Sequence, residues 1–165
     1  HSFPTRRSSD LQRCRIIIKK IFMSELSYYE SRPGLLSCKP DEAFNFITDL
    51  RNFGRFIKEG TITNWMADKD SCSFNVSMVG TVLVRIVEKE AGKKVVYEGD
   101  ALNRNDFKIN VFLSASPDDK SDISLQLTAS LNPMMKMMAE KPINQFMEIL
   151  MNEIENFRDW HDIRE

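Results

Sequence analysis

The chain predicts an α+β fold, a curved antiparallel sheet of about seven strands wrapped around one long C-terminal helix. Three observations carry that prediction. Ile123, Leu125, Leu127, Ala129 and Leu131 alternate with Ser124, Gln126, Thr128 and Ser130, the period of a strand with one buried face. Five strand-like runs precede it, joined mostly by short polar turns, which is the pattern of an antiparallel meander. Beyond Pro142 the period changes. Ile143, Phe146, Met147, Leu150, Ile154 and Phe157 recur at three and four residues, against Asn144, Glu148, Asn152 and Glu155.

In chain order, residues 27–38 read as a strand interrupted at Pro33-Gly34, hence an edge strand or one with a bulge. A helix start follows at Lys39-Pro40-Asp41-Glu42, with proline and carboxylates in the first turn. Ala43, Phe44, Ile47 and Leu50 continue it at helical spacing. Residues 49–52 predict a break, and 53–57 a second short helix closed by Gly60. Strands are then expected over 61–67, 71–79, 81–90, 93–101, 106–116 and 123–131. The order is therefore strand, two helices, six strands and a long helix. Pro142 falls in the first turn of that last helix or kinks it.

Length and composition narrow the function. The 165 residues are 42% hydrophobic and 28% charged, with six glycines and six prolines. That excludes a disordered or collagen-like chain and suits one domain. No run approaches the roughly 18 apolar residues of a membrane-spanning helix.

Residues 1–22 are expected to stand outside the domain, which then occupies 23–165. His1 to Leu11 has no apolar period and resembles the conceptual translation of a sequencing-adapter oligonucleotide. Residues 12–22 then read as translated upstream DNA, with Met23 as the start. The competing reading is a short targeting or membrane-surface segment, because Arg13, Arg15, Lys19 and Lys20 mix with Ile16, Ile17, Ile18, Ile21 and Phe22. A secretory signal needs a longer apolar run and a small-residue cleavage site. Without Arg6, Arg7, Arg13, Arg15, Lys19, Lys20 and Asp10, Lys+Arg falls from 23 to 17 and Asp+Glu from 24 to 23. The net charge moves from −1 to −6. An acidic domain with no basic stripe is not expected to bind nucleic acid.

Chemistry-bearing residues are sparse. Past Met23 only Cys38, Cys72 and His161 remain of the cysteines and histidines. That is too few for a disulfide scaffold and lacks metal-ligand spacing, so no metal and no histidine triad is expected. The scattered glycines form no phosphate loop, and no cofactor is expected. Reduced thiols point to the cytoplasm. Glu88, Glu98, Asp100 and Asp106 have no spacing that pairs two of them for acid–base work. No catalytic residue is assigned.

A sheet with one apolar face, covered by one long helix, leaves a cavity where the sheet curves away. Its expected lining is Phe74, Val76 and Met78, then Val82, Val84 and Ile86, then Phe107, Ile109 and Val111, then Leu125 and Leu127. The helix adds Ile143, Phe146, Met147 and Leu150, with Phe146 and Leu150 facing the sheet. Met134 to Met138, Met134 and Met138 included, form a soft rim at one mouth or plug the core end. Arg85, Lys108 and Asn110 are expected outside. Trp65 and Tyr97 read as core or lining aromatics.

The run Pro40-Asp41-Glu42-Ala43-Phe44-Asn45-Phe46-Ile47-Thr48-Asp49-Leu50-Arg51-Asn52-Phe53 resembles the helix–turn signature of the SRPBCC or START-like superfamily. That group includes polyketide cyclases and aromatases, lipid-transfer domains and the birch-pollen-allergen type. The likeness extends over about residues 27–157. It implies the helix-grip fold and a hydrophobic or amphipathic, lipid- or polyketide-like ligand in the cavity. It does not imply one reaction. A cyclase- or aromatase-like enzyme, working mainly by positioning its substrate, is the alternative. A protein-interaction module using the groove is another.

Overall fold

The computed structural model describes residues 11–13, 15, 25–56, 60, 62–76, 80–101 and 105–161. Most of the segment 1–22 therefore lies outside the described residues, as does Met78. The expected interrupted first strand is two strands, β1 (Glu25–Glu30) and β2 (Gly34–Leu36), which pair with the same partner. Between them Ser31 keeps hold of that partner. Its N–H donates to the Leu125 carbonyl and its hydroxyl accepts the Leu125 N–H, both at 2.9 Å. Pro33 has no N–H to offer, and the ladder resumes at Gly34.

Helix α1 (Pro40–Ile47) begins with proline in its first turn and Asp41 and Glu42 near its positive end. A 3-10 helix (Leu50–Phe56) follows and starts earlier than the sequence suggests. Asp49 explains the early start. Its carboxylate accepts the Arg51 N–H at 3.1 Å and is gripped by the Arg51 guanidinium, which holds its carboxyl below the ordinary range.

The remaining strands are β3 (Ile62–Ala67), β4 (Ser71–Val76), β5 (Gly80–Glu90), β6 (Lys94–Ala101), β7 (Asn105–Ser116) and β8 (Lys120–Leu131). They form one antiparallel sheet in the order β1-β8-β7-β6-β5-β4-β3, with β2 continuing along β8. The last element is the 24-residue helix α2 (Pro133–Asn156). Pro142 lies inside it rather than in its first turn. The true start is set by Asn132, whose side chain accepts the Met135 N–H at 2.8 Å, and by Pro133 at the first helical position.

The two ends of the sheet differ. At one end, α1, the 3-10 helix and the segment after α2 plug the grip. Phe46, Phe56, Phe157 and Trp160 meet there in six mutual contacts, ring centroids 4.9–5.7 Å apart. The Arg55 guanidinium sits 5.5 Å from the Phe46 ring and 5.0 Å from the Phe157 ring. Tyr97 Oη donates to the Ile47 carbonyl and Ser121 Oγ to the Cys38 carbonyl, both at 2.5 Å, tying this plug to the sheet. At the other end, β8 runs straight into the start of α2.

Helix α2 lies over β1, β2 and β8 and is fixed by its C-terminal half. Arg32 reaches Glu148 at 3.1 Å, Asn152 at 2.5 Å and Glu155 at 2.5 Å. The Leu35 N–H donates to Glu155 at 3.1 Å. Gly34 lets the Met151 sulfur rest on the strand backbone, where a Cβ would collide with it.

Acid loosens this clamp. The Leu35 N–H, helped by Arg32, holds the Glu155 carboxyl below its ordinary value of 4.5, against the opposing effect of burial. A depressed carboxyl stabilises fully above the unfolded value, and that contribution is lost as pH falls through the folded one. Urea midpoints are expected to drop below about pH 4.5, and less steeply in Glu155→Gln than in the wild type. Equal slopes for the two proteins would mean that the clamp carries no charge-dependent stability.

Candidate functional site

Rows of facing residues cross the concave side of the sheet. One runs Ser27, Ala129, Phe107, Gly99, Val84 and Cys72. The next runs Tyr29, Leu127, Ile109, Tyr97 and Ile86. Gly99 leaves the Phe107 ring free to fold onto the strand, for the Phe107 Cζ lies 2.7 Å from where a Cβ would stand. Small residues at Ser27, Ala129 and Gly99 thus lower the floor on both sides of one aromatic ring.

Burial changes along the strands. On β7, Val111 and Leu113 are buried, whereas Phe107 and Ile109 are only half-buried. On β8, Leu125 and Leu127 are covered by α2. Phe74, Val82 and Val84 are buried on the floor, while Val76 and Ile86 are reached by solvent. Trp65 stacks with Phe53 and Phe74 along the far wall, ring centroids 6.1 and 5.8 Å away. The structure therefore brings the sequence-predicted strand residues other than Met78, which lies outside the described residues, onto one face. On this face Val76, Ile86, Phe107 and Ile109 are half-buried, whereas Phe74, Val111 and Leu125 are buried.

The helix wall needs one correction. At 3.6 residues per turn, Glu148, Asn152 and Glu155 share the flank gripped by Arg32. The opposite flank carries Met135, Ala139, Ile143, Phe146 and Leu150. Met147 and Leu150 are buried, but Phe146 is 38% exposed. Phe146 stands at the edge of the buried stripe of α2 and not at its centre, because the helix is rotated to bury Met147 and Met151. Met134 and Met138, 72% and 73% exposed, project from the outer face of α2. Of that run, Met135 lies on the groove flank and is half-buried.

The charged residues sit on the convex side. Arg85 reaches Glu98 at 3.3 Å, Lys108 reaches the same carboxylate at 3.3 Å, and Lys94 reaches Glu88 at 3.9 Å. Asp100 and Asp106 face each other across β6 and β7 on that same outer side. A depression of about 460 Å³ lies on this face, between Met66, Leu83 and the Arg85–Glu98 pair. Another, of about 550 Å³, follows the outer flank of α2 past Met137, Glu140 and Asn144. Neither lies between the concave face and α2. Burial pushes the Cys38 and Cys72 thiols up to about 12, so both are inert at neutral pH. Among the described residues no group of His, Cys, Asp and Glu could hold a metal ion.

The patterned strands revealed most of the floor, but Ser27, Tyr29, Ala129 and Gly99 enter it through strand register, which no local period reports. Trp160 was likewise missed, since one aromatic after a helix has no period. The Asn132-Pro133 cap was the one readable sign that α2 begins before Pro142.

No family model matches the chain, and no curated protein matches it in sequence. Solved structures do match in fold. Norcoclaurine synthase from Thalictrum flavum aligns with a TM-score of 0.60 at 7% identity, over 86% of this chain and 92% of that one. Ara h 8.0201 aligns with a TM-score of 0.58 at 12% identity, over 79% and 96%. Protein CV1439 from Chromobacterium violaceum aligns with a TM-score of 0.53 at 12% identity, over 79% and 98%. The fold is the helix-grip fold, and its neighbours include Bet v 1-like proteins.

The corrected helix phase has a measurable consequence. Leu150→Asp buries an unpaired carboxylate and is expected to unfold the domain. Phe146→Asp, at the rim, leaves it folded, and Glu148→Ala costs at most about 1 kcal/mol, as for an exposed ion pair. Denaturant midpoints check the order. A Phe146→Asp protein as unstable as Leu150→Asp would put Phe146 back over the floor.

Proposed function

We propose that this chain is a cytoplasmic member of the SRPBCC or START-like superfamily that binds a hydrophobic or amphipathic small molecule, lipid- or polyketide-like, between sheet and helix. The observation that carries the reading is the half-buried apolar set Val76, Ile86, Phe107 and Ile109 on the concave face of the sheet. These side chains belong to the concave face yet remain partly wet, so a ligand that covers them gains about 25 cal/mol per Å² removed from water. No helix of the described residues is long and apolar enough to cross a membrane.

One fold neighbour is by name a synthase, and a cyclase- or aromatase-like reaction would use the same groove. Simple binding is favoured because Glu88, Glu98, Asp100 and Asp106 all turn to the convex side, away from the place where a substrate would lie. An apolar groove of this kind discriminates by shape and area more than by direction.

An uncharged polycyclic fluorophore is expected to bind the purified protein at about micromolar affinity and to be displaced by unrelated apolar compounds. Phe107→Ala, which widens the groove, and Val84→Trp, which fills it, should change that affinity several-fold, and Arg85→Ala should not. If no apolar probe binds, the groove is a closed core. If Arg85→Ala abolishes binding, the site is on the convex face.

A further inference from the structure

The strands at the margins of the sheet are finished differently. On β3 the ladder with β4 slips between Thr63 and Met66, and Asn64 sits in the left-handed region at φ 54°, so that edge is a poor template for another strand. On β2 the Leu35 N–H donates to Glu155 at 3.1 Å, which caps it. Strand β1 carries neither device, and its register with β8 runs unbroken from Glu25 to Glu30. The Ser31 N–H donates to the Leu125 carbonyl across that ladder. By alternation Ser27 and Tyr29 also bond toward β8, and the N–H and C=O groups of Leu26, Tyr28 and Glu30 turn outward. Among the described residues no strand lies along that outer side, and nothing bonds to those three N–H groups.

The two sides of this edge suit a guest strand. On the convex side Leu26 and Tyr28 are 72% and 54% exposed. Above the other side runs the outer flank of α2, where Met137, Glu140, Lys141, Asn144 and Glu148 line the depression of about 550 Å³. That flank stands beside β1. Burial and then the Glu140 carboxylate raise the Tyr29 phenol above its ordinary value, and Glu148 binds Arg32 just beyond the strand. The local charge is negative. Glu30, Glu140, Glu148 and Glu155 stand against Arg32 and Lys141, and Arg32 is already taken by Glu148 and Glu155.

We propose that the outer edge of β1 docks an extended, basic segment of a partner protein, which adds to the sheet as a further strand. The guest's backbone pairs with the outward N–H and C=O groups of Leu26, Tyr28 and Glu30. Successive guest side chains point to opposite faces. Those on one face cover Leu26 and Tyr28, and lysines or arginines on the other reach the depression beside Glu140. A second copy of this chain is the poorer guest, because it brings its own Glu30 and Glu140 to the same place.

The full chain is titrated with a fluorescein-labelled peptide of alternating lysine and valine. Fluorescence anisotropy is expected to show binding that weakens as salt is added, and a glutamate–valine peptide is expected not to bind. Amide exchange at Leu26, Tyr28 and Glu30 should be fast in the free protein and slowed by the lysine–valine peptide. Leu26→Lys sets a like charge against the guest, and Tyr28→Pro removes an outward N–H that the sheet does not use. Each is expected to weaken binding roughly tenfold, whereas Met66→Lys on the opposite edge leaves it unchanged. Leu26→Lys, at an exposed position, decides the matter if Tyr28→Pro does not fold. The proposal is overturned if the lysine–valine peptide does not bind, or binds without slowing exchange at those three amides. It is equally overturned if the glutamate–valine peptide binds as well, or if the three amides are already protected in the free protein. A monomer–dimer equilibrium that Leu26→Lys abolishes also overturns it, because the occupant is then a second copy.

Discussion

One long helix has to be held against a sheet that curves away from it, and the way it is held decides everything else. The attachment is one-sided. Arg32 binds Glu148, Asn152 and Glu155 along one flank of α2, and Met151 rests on Gly34 below them. The aromatic cluster of Phe46, Phe56, Phe157 and Trp160 then closes the same end. With its C-terminal half fixed to β1 and β2, the helix cannot also cover β4 to β7. Its opposite flank carries the apolar residues Ile143, Phe146 and Leu150.

The polar residues are sorted to match. Charges collect on the convex face, where Arg85, Glu98 and Lys108 satisfy one another in solvent and contribute little to stability. The concave face carries hydroxyls, among them those of Tyr97 and Ser121. Tyr97 and Ser121 spend theirs on carbonyls of the plug, so they fasten structure.

Much of this was legible in the sequence, for reasons that also explain the gaps. Alternation in residues 123–131 and 107–113 reports which face is buried, so the concave floor could be read strand by strand. Which residues of different strands meet depends on register, and hence the row joining Ser27 to Phe107 and Gly99 stayed hidden. The rotation of α2 was misjudged by part of a turn. Phe146 belongs to the apolar period, but the clamp at Arg32 turns Met147 and Met151 inward and leaves Phe146 at the rim. The methionines before Pro142 misled in the opposite way. Apolar residues on the outer face of a helix break the amphipathic pattern, and Met134 and Met138 obscured two turns that the Asn132-Pro133 cap plainly starts.

Amide chemical-shift mapping of the full chain, titrated with the uncharged polycyclic fluorophore, tests the groove most directly. A groove ligand predicts shifts confined to Ile86, Phe107, Ile109, Ile143 and Phe146, with Arg85 and Glu98 unmoved. Shifts gathered at Met66, Leu83 and Arg85, or on the outer face of α2 at Met134 and Met138, would contradict it.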